Sequence, residues 1–313
     1  MTRITRNFLY LCTRYADYYQ GNKYCIGHCG GRTIGRLHCQ CDGRKLREDM
    51  NNKTLTIRVG KNTLSFSMID NANGQQPIVY EPYVVKSGIS MAANLREAFK
   101  TSDLLAEEHR RARVMVDSKV LMVPVEQFQE GNASTLYHHS FPKSEQQSIV
   151  YNVLPDLNAV AIFSVNKDLM TVINDHYADV RPIHLMAPVW RYLHQRSFTG
   201  HRSKLYGYFH DRQLDIFSFQ QHRFKFCNAF DPSRAHDSLY FLLYVWKQLN
   251  LQPQHDEMHI VGDIPDRDWL TQELRKYLQK AYVINPTAEF NRAPATQIQG
   301  MPFDLMTLFT KGR

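Results

Sequence analysis

A chain of 313 residues, 43% hydrophobic and 22% charged, can bury a large core and reads as one or two soluble globular domains. Its net charge of +8 suggests a polyanion partner, yet residues 1–49 hold nine Lys/Arg against four Asp/Glu, while residues 50–313 hold 29 against 26. The body is therefore nearly neutral, and no apolar run approaches the roughly 20 residues of a membrane helix.

Residues 1–49 also carry Cys12, Cys25, Cys29, Cys39 and Cys41, leaving only Cys227 beyond them. They show no sustained period of 2 or 3.6. Cys25-Ile-Gly-His-Cys29 and His38-Cys-Gln-Cys41 bring thiolates and imidazoles close together, but spacers of three and one match the pairs of zinc sites poorly. The favoured reading is a leader without regular structure, upstream of a start at Met50. Asn7–Cys12 is too short for a secretory apolar region. A body with a single cysteine has no disulfide framework, so a reducing compartment, the cytoplasm, is expected.

From Lys53 the pattern becomes regular. Leu55–Val59 and Leu64–Met68 alternate about Gly60-Lys-Asn62, which predicts a β-hairpin, with a third strand at Ile78–Tyr83. A helix is expected at Met91–Lys100, then strands at Arg113–Asp117 and Val120–Val125. Residues 129–147 read as a loop or short helix. Val150–Leu154 and Val160–Val165 form a strand pair, and a helix opens at Asn166 or Lys167 and runs to about Tyr177. Pro182–Arg196 reads as a linking segment with an amphipathic helix on Val189, Trp190 and Leu193.

A second unit starts at Leu205. An offset of 150 sets Leu55 on Leu205, Val59 on Phe209, Lys61-Asn62 on the turn Asp211-Arg212, Leu64 on Leu214 and Phe66 on Ile216. A third strand at Phe224–Asn228 is followed by a helix with Asp231 as N-cap and Pro232 at its first position. Leu239, Leu242, Leu243, Trp246 and Leu249 give that helix one apolar face. Met258–Val261 makes a strand, Asp266 or Asp268 caps a further helix, and Pro302–Phe309 reads as a short helix docking back on the body.

Two copies of hairpin, strand, helix, strand, helix imply two mixed-sheet lobes with a cleft between them. This is the layout of the actin and Hsp70 superfamily. The blocks Phe224-Lys-Phe-Cys-Asn-Ala-Phe, Asp237-Ser-Leu-Tyr-Phe-Leu-Leu, Gln248-Leu-Asn-Leu, Gly262-Asp-Ile and Leu274-Arg-Lys-Tyr-Leu resemble an uncharacterised Bacteroidetes family, domain of unknown function 3822. The resemblance spans about Lys53 to the C-terminus. It implies an α/β class with a duplicated actin-like (ribonuclease H-like) fold, divided as leader 1–49, first lobe 50–200, second lobe 201–285 and tail 286–313.

In that superfamily nucleotide sits on two hairpin turns, each with an Asp at the strand end that holds Mg²⁺ through water. Here Arg58 stands at the first such position and Tyr208 at the second, with His210 in place of a Gly. Arg58, Gly60, Lys61, Thr63, Gly262 and Asp263 remain as candidates for a degenerate nucleotide cleft. No catalytic residue, metal ligand or cofactor is expected, and ATP binding is the alternative. Asp117 is read as a strand-end turn cap, Cys227 as a buried hydrophobe, and Asn228 and Asp237 as turn and cap residues. The function expected is a non-catalytic scaffold with an unidentified protein partner and no membrane or nucleic-acid role. The alternatives are a divergent nucleotide switch or ATPase, and a nucleic-acid binder acting through the basic N-terminal segment.

Overall fold

A computed structural model describes residues 54–69, 78–107, 109–198, 202–220 and 223–310. The cysteine–histidine pattern and basic charge of the first 49 residues lie outside these. Strands β1 (Thr54–Val59) and β2 (Leu64–Ile69) form the expected hairpin, and β3 (Ile78–Tyr83) extends it. Helix α1 (Met91–Thr101) starts where the Ser90 hydroxyl accepts from the Ala93 N–H at 3.2 Å, and the short α2 (Asp103–Ala106) follows. Strand β4 (Arg111–Val116) runs parallel to β1.

Next come β5 (Val120–Pro124), α3 (Ala133–Ser140), β6 (Gln147–Leu154) and β7 (Ala159–Asn166), whose strands make a separate antiparallel sheet ordered β5-β7-β6. Asn166 caps α4 (Lys167–Asn174) by accepting from the Leu169 N–H at 2.9 Å. Strand β8 (Asp179–His184) then joins β4 in parallel, and α5 (Ala187–Ser197) leads away. The first main sheet is thus β3-β2-β1-β4-β8.

Residues from Pro182 were expected to link the two units, yet Pro182 lies inside β8. An edge strand tolerates a proline because one row of its backbone groups has no strand partner. The Asn152 carboxamide satisfies part of that row, donating to Pro182 O at 3.1 Å and accepting from the His184 N–H at 2.8 Å.

The second main sheet repeats the order. Strands β9 (Lys204–His210), β10 (Gln213–Gln220), β11 (Arg223–Phe230), β12 (Glu257–Gly262) and β13 (Ala281–Val283) are arranged β11-β10-β9-β12-β13, with the same parallel and antiparallel senses. The 150-residue offset keeps register: Val59 faces Leu64 in one hairpin and Phe209 faces Leu214 in the other. Asp211 and Arg212 both have positive φ, 46° and 62°, as a two-residue turn matched to strand twist requires.

Helix α6 (Ala235–Gln248) begins three residues beyond the expected Pro232 start. The Asp237 carboxylate, not Asp231, accepts from the Ser233 and Arg234 N–H groups, each at 2.9 Å. Asp266 precedes α7 (Arg267–Tyr277) as expected, but in a left-handed conformation whose side chain makes no capping bond. The three-residue β13 is too short to show a period in sequence.

Helices α1 and α4 cover one face of the first sheet, through Leu95, Ala98, Leu169 and Ile173 against Leu55, Ile57 and Phe66. Helices α6 and α7 cover one face of the second, through Leu242, Trp246, Leu270 and Leu274 against Leu205, Leu214, Ile216 and Ile260. The remaining faces share one further cluster, in which Met115 joins Tyr206, Tyr208 and Phe217. Trp190 and Leu193 of α5 and the C-terminal Met301, Phe303 and Leu305 complete it. The tail supplies α8 (Pro286–Glu289), α9 (Pro294–Gln297) and α10 (Phe303–Thr310). No helix among the described residues is long and apolar enough to cross a membrane.

Leu242 is fully buried on α6, one wall of the second core. Leu242→Ala should cost about 2–5 kcal/mol, measured by urea unfolding.

Candidate functional site

The two equivalent hairpins and helix α10 meet at one side chain. Arg58, the fifth residue of β1, is 3% exposed and points between the two sheets. Its Nε and Nη2 donate to the two carboxylate oxygens of Asp304, each at 2.9 Å. Nη1 donates to Thr63 Oγ1 at 2.8 Å, and Nη2 also reaches Asp211 Oδ2 at 3.1 Å. Asp304, with no exposed surface, accepts a further bond from the Tyr208 hydroxyl at 2.8 Å. Thr63 Oγ1 in turn donates to Asp211 Oδ1 at 2.7 Å. Both turns are therefore bonded to each other and to α10.

Gly60 explains the close approach of the turns. A Cβ there would collide with the Asp211 carboxylate and the Thr63 hydroxyl, so only glycine admits the second turn. Lys61 reaches Asp231 at the end of β11, Nζ to Oδ1 2.5 Å, across an exposed contact. This pairing is where the expected N-cap Asp231 is used. Gly262 has φ +97°, and a side chain on it would strike the Phe209 carbonyl and the Tyr208 ring. Asp263 donates its N–H to Phe209 O at 2.9 Å. Arg58, Gly60, Lys61 and Thr63 thus converge on the turns, whereas Gly262 and Asp263 sit at the end of β12 and serve strand packing.

Beside this cluster lies a second set of charges. His210 donates between Asp215, Nε2 to Oδ2 2.7 Å, and Asp211, Nδ1 to Oδ2 3.4 Å. Burial opposes its positive charge, but the bonds to Asp211 and Asp215 prevail and hold it at about 10. Asp211 is likewise opposed by burial, then drawn well below the carboxylate range by His210, Arg58 and Thr63. Burial also disfavours charge on Arg58, and Asp304 outweighs it, keeping the guanidinium charged. The Tyr208 hydroxyl is pushed up by burial first and by Asp304 next. Asp117 accepts from Gln213 Nε2 at 3.4 Å, and burial raises it to about 6 against the pull of His210.

Among the described residues, Asp117, His210 and Asp211 form one group with ligand atoms close enough for a metal ion. Both His210 nitrogens face carboxylates, so the group as it stands is an ion-pair network. Asp117 does not act as the simple turn cap expected of it: its N–H donates to Val59 O at 2.9 Å, while its carboxyl faces the second hairpin.

Sequence reasoning missed Asp304, Asp211 and Asp215. The available signals were an acid inside the mostly apolar Phe303-Asp-Leu-Met-Thr-Leu-Phe309, and another inside Leu214-Asp-Ile-Phe-Ser-Phe219. Asp237 behaves as the expected cap residue, and Asn228 bonds the neighbouring Ala229 N–H at 3.0 Å. In the aromatic run on α6, Trp246 is buried, while Tyr240 and Tyr244 are exposed and stack with centroids 5.8 Å apart.

Removing one partner of a buried ion pair strands the other, whereas replacing both with apolar groups largely avoids that cost. Arg58→Met alone should therefore lose about 3–5 kcal/mol, and Arg58→Met with Asp304→Leu should be more stable than Arg58→Met, as read by urea unfolding. The raised His210 value means its contribution is complete below its ordinary 6.5 and is lost as pH rises through about 10. The stability gap between the wild-type protein and His210→Gln should accordingly shrink between neutral pH and about 10, measured by denaturant melts across that range.

The family model described as a protein of unknown function, DUF3822, matches residues 45–281. A crystal structure from Bacteroides thetaiotaomicron VPI-5482, described as a protein with actin-like ATPase fold and unknown function, is 30% identical. It aligns with TM-score 0.72 over 84% of this chain and 97% of that one. A PilM–PilN type IV pilus biogenesis complex aligns with TM-score 0.52 at 11% identity, covering 82% and 96% of the two chains. No curated protein matches the sequence.

Proposed function

The chain belongs to the DUF3822 family and has an actin-like ATPase fold, and from that premise we propose that it is a non-catalytic scaffold or interaction protein. The observation that carries this reading is the fate of two positions. Where nucleotide chemistry on this fold would require carboxylates to hold a cation, Arg58 and Tyr208 stand, and both are bonded to Asp304. The Thr63–Asp211 bond joins the two turns between which nucleotide would have to lie.

On this reading residues 50–200 and 201–285 are duplicated lobes, supported by their equal strand order and shared register. Residues 286–313 are the tail on this reading; its helix α10 packs between the lobes, and the cleft is closed by the protein's own side chains. A protein partner fits this role, since a structure of like fold is a PilM–PilN complex. The exposed Tyr240–Tyr244 pair is a surface suited to such contact. The cytoplasm is the compartment proposed. The runner-up is a divergent nucleotide switch, favoured by the metal-compatible spacing of Asp117, His210 and Asp211.

Thermal unfolding with and without Mg·ATP separates the two. A ligand at about 100 times its Kd adds roughly 2.7 kcal/mol, a shift of a few degrees for a protein of this size. The scaffold reading expects no shift and no phosphate release. A saturable shift that is lost in the exposed variant Lys61→Ala would sink it.

A further inference from the structure

We propose that Arg58, positioned by Thr63, and Tyr208 form an oxyanion site which Asp304 fills in cis, and which takes an external oxyanion once that carboxylate is gone. The ligand class is a small carboxylate or a phosphoryl group. The site is the one discussed under the scaffold reading, and it rests on that reading's view that Asp304 is the occupant.

The donors are held in place by groups other than the carboxylate they bind. Arg58 is fixed from behind by Thr63 Oγ1, which accepts from Nη1 at 2.8 Å, and by Asp211 at 3.1 Å. Tyr208 stacks on His210 at 4.7 Å, and its ring packs near Phe303 at 5.8 Å. Two parallel N–H groups and one O–H therefore converge on a carboxylate that is wholly enclosed. That fork is the arrangement arginine uses for carboxylates and phosphates in general.

The asymmetry of the contributions matters. Both hairpins supply donors, while α10 supplies the acceptor, together with an Asp304 N–H that reaches the Tyr208 oxygen at 3.3 Å. Deleting the carboxylate leaves the buried guanidinium with Asp211 as its remaining carboxylate partner and two N–H groups unpaired toward α10, and that loss provides the drive to bind an anion. Asp304→Ala removes one carbon and two oxygens, the heavy atoms of formate. A small carboxylate can thus take the vacated position with α10 in place, whereas pyrophosphate requires α10 to move aside. On this view α10 competes with external anions for the two hairpins.

The test is thermal unfolding of the full chain as wild type, Asp304→Ala, and Asp304→Ala with Arg58→Met. Each is titrated with sodium formate, or with pyrophosphate, against sodium chloride at matched ionic strength. Asp304→Ala should melt several degrees below wild type and regain part of the loss saturably in formate. Wild type and the double variant should respond no more to formate than to chloride. A matching rise with pyrophosphate assigns the site to phosphoryl groups as well, and a response to formate alone assigns it to small carboxylates. If Asp304→Ala gains no more from either anion than the double variant does, the proposal is overturned. Should Asp304→Ala fail to fold in chloride, refolding yield in formate against chloride gives the same comparison, and equal yields count against the site. The two readings also fail separately: Mg·ATP binding by the wild type removes the scaffold and leaves the anion site, while an absent formate response does the reverse.

Discussion

A guanidinium carried into the interior on β1 constrains everything packed around it. Arg58 cannot shed its charge, and at 3% exposure it has almost no water, so carboxylates must be brought to it. One comes from the second hairpin as Asp211 and one from the last helix as Asp304. Meeting that requirement fixes the spacing of the two turns, the position of α10 between the sheets, and the rotamer of Tyr208. The glycine at position 60 is a further consequence, because the turns could not approach so closely over a side chain.

Arg58 can be regarded as a tethered cation. The positive charge is part of the chain, and Asp211 and Asp304 supply the carboxylates around it. His210 repeats the same device one step away, its ring set between Asp211 and Asp215. Both cations are held charged by their partners despite burial, so the region between the sheets is a dense ionic layer within an otherwise aromatic and aliphatic cluster.

Much of the fold was legible because it rests on local pattern. The hairpins, the third strands and the α1 and α4 starts follow from alternation, turn residues and caps that lie within a few residues of one another. The failures share one cause. Pro182 opened what read as a linking segment, and nothing local reveals that β8 is an edge propped by Asn152 from a different sheet. Asp231 and Pro232 made a plausible helix start, and nothing local shows that Asp231 is drawn away by Lys61, 170 residues distant. The site was half legible. Positions 58 and 208 stood out in the sequence, but Asp304 as the partner of Arg58 depends on a contact spanning 246 residues.

That separation has a consequence for the nascent chain. At about 5–20 residues per second, the ribosome takes roughly 12–50 s to travel from Arg58 to Asp304. During that interval the first sheet can form with its central arginine lacking its chief counter-ion. Until Asp304 emerges, whatever forms of the first sheet carries an unneutralised charge on the face that later becomes interior.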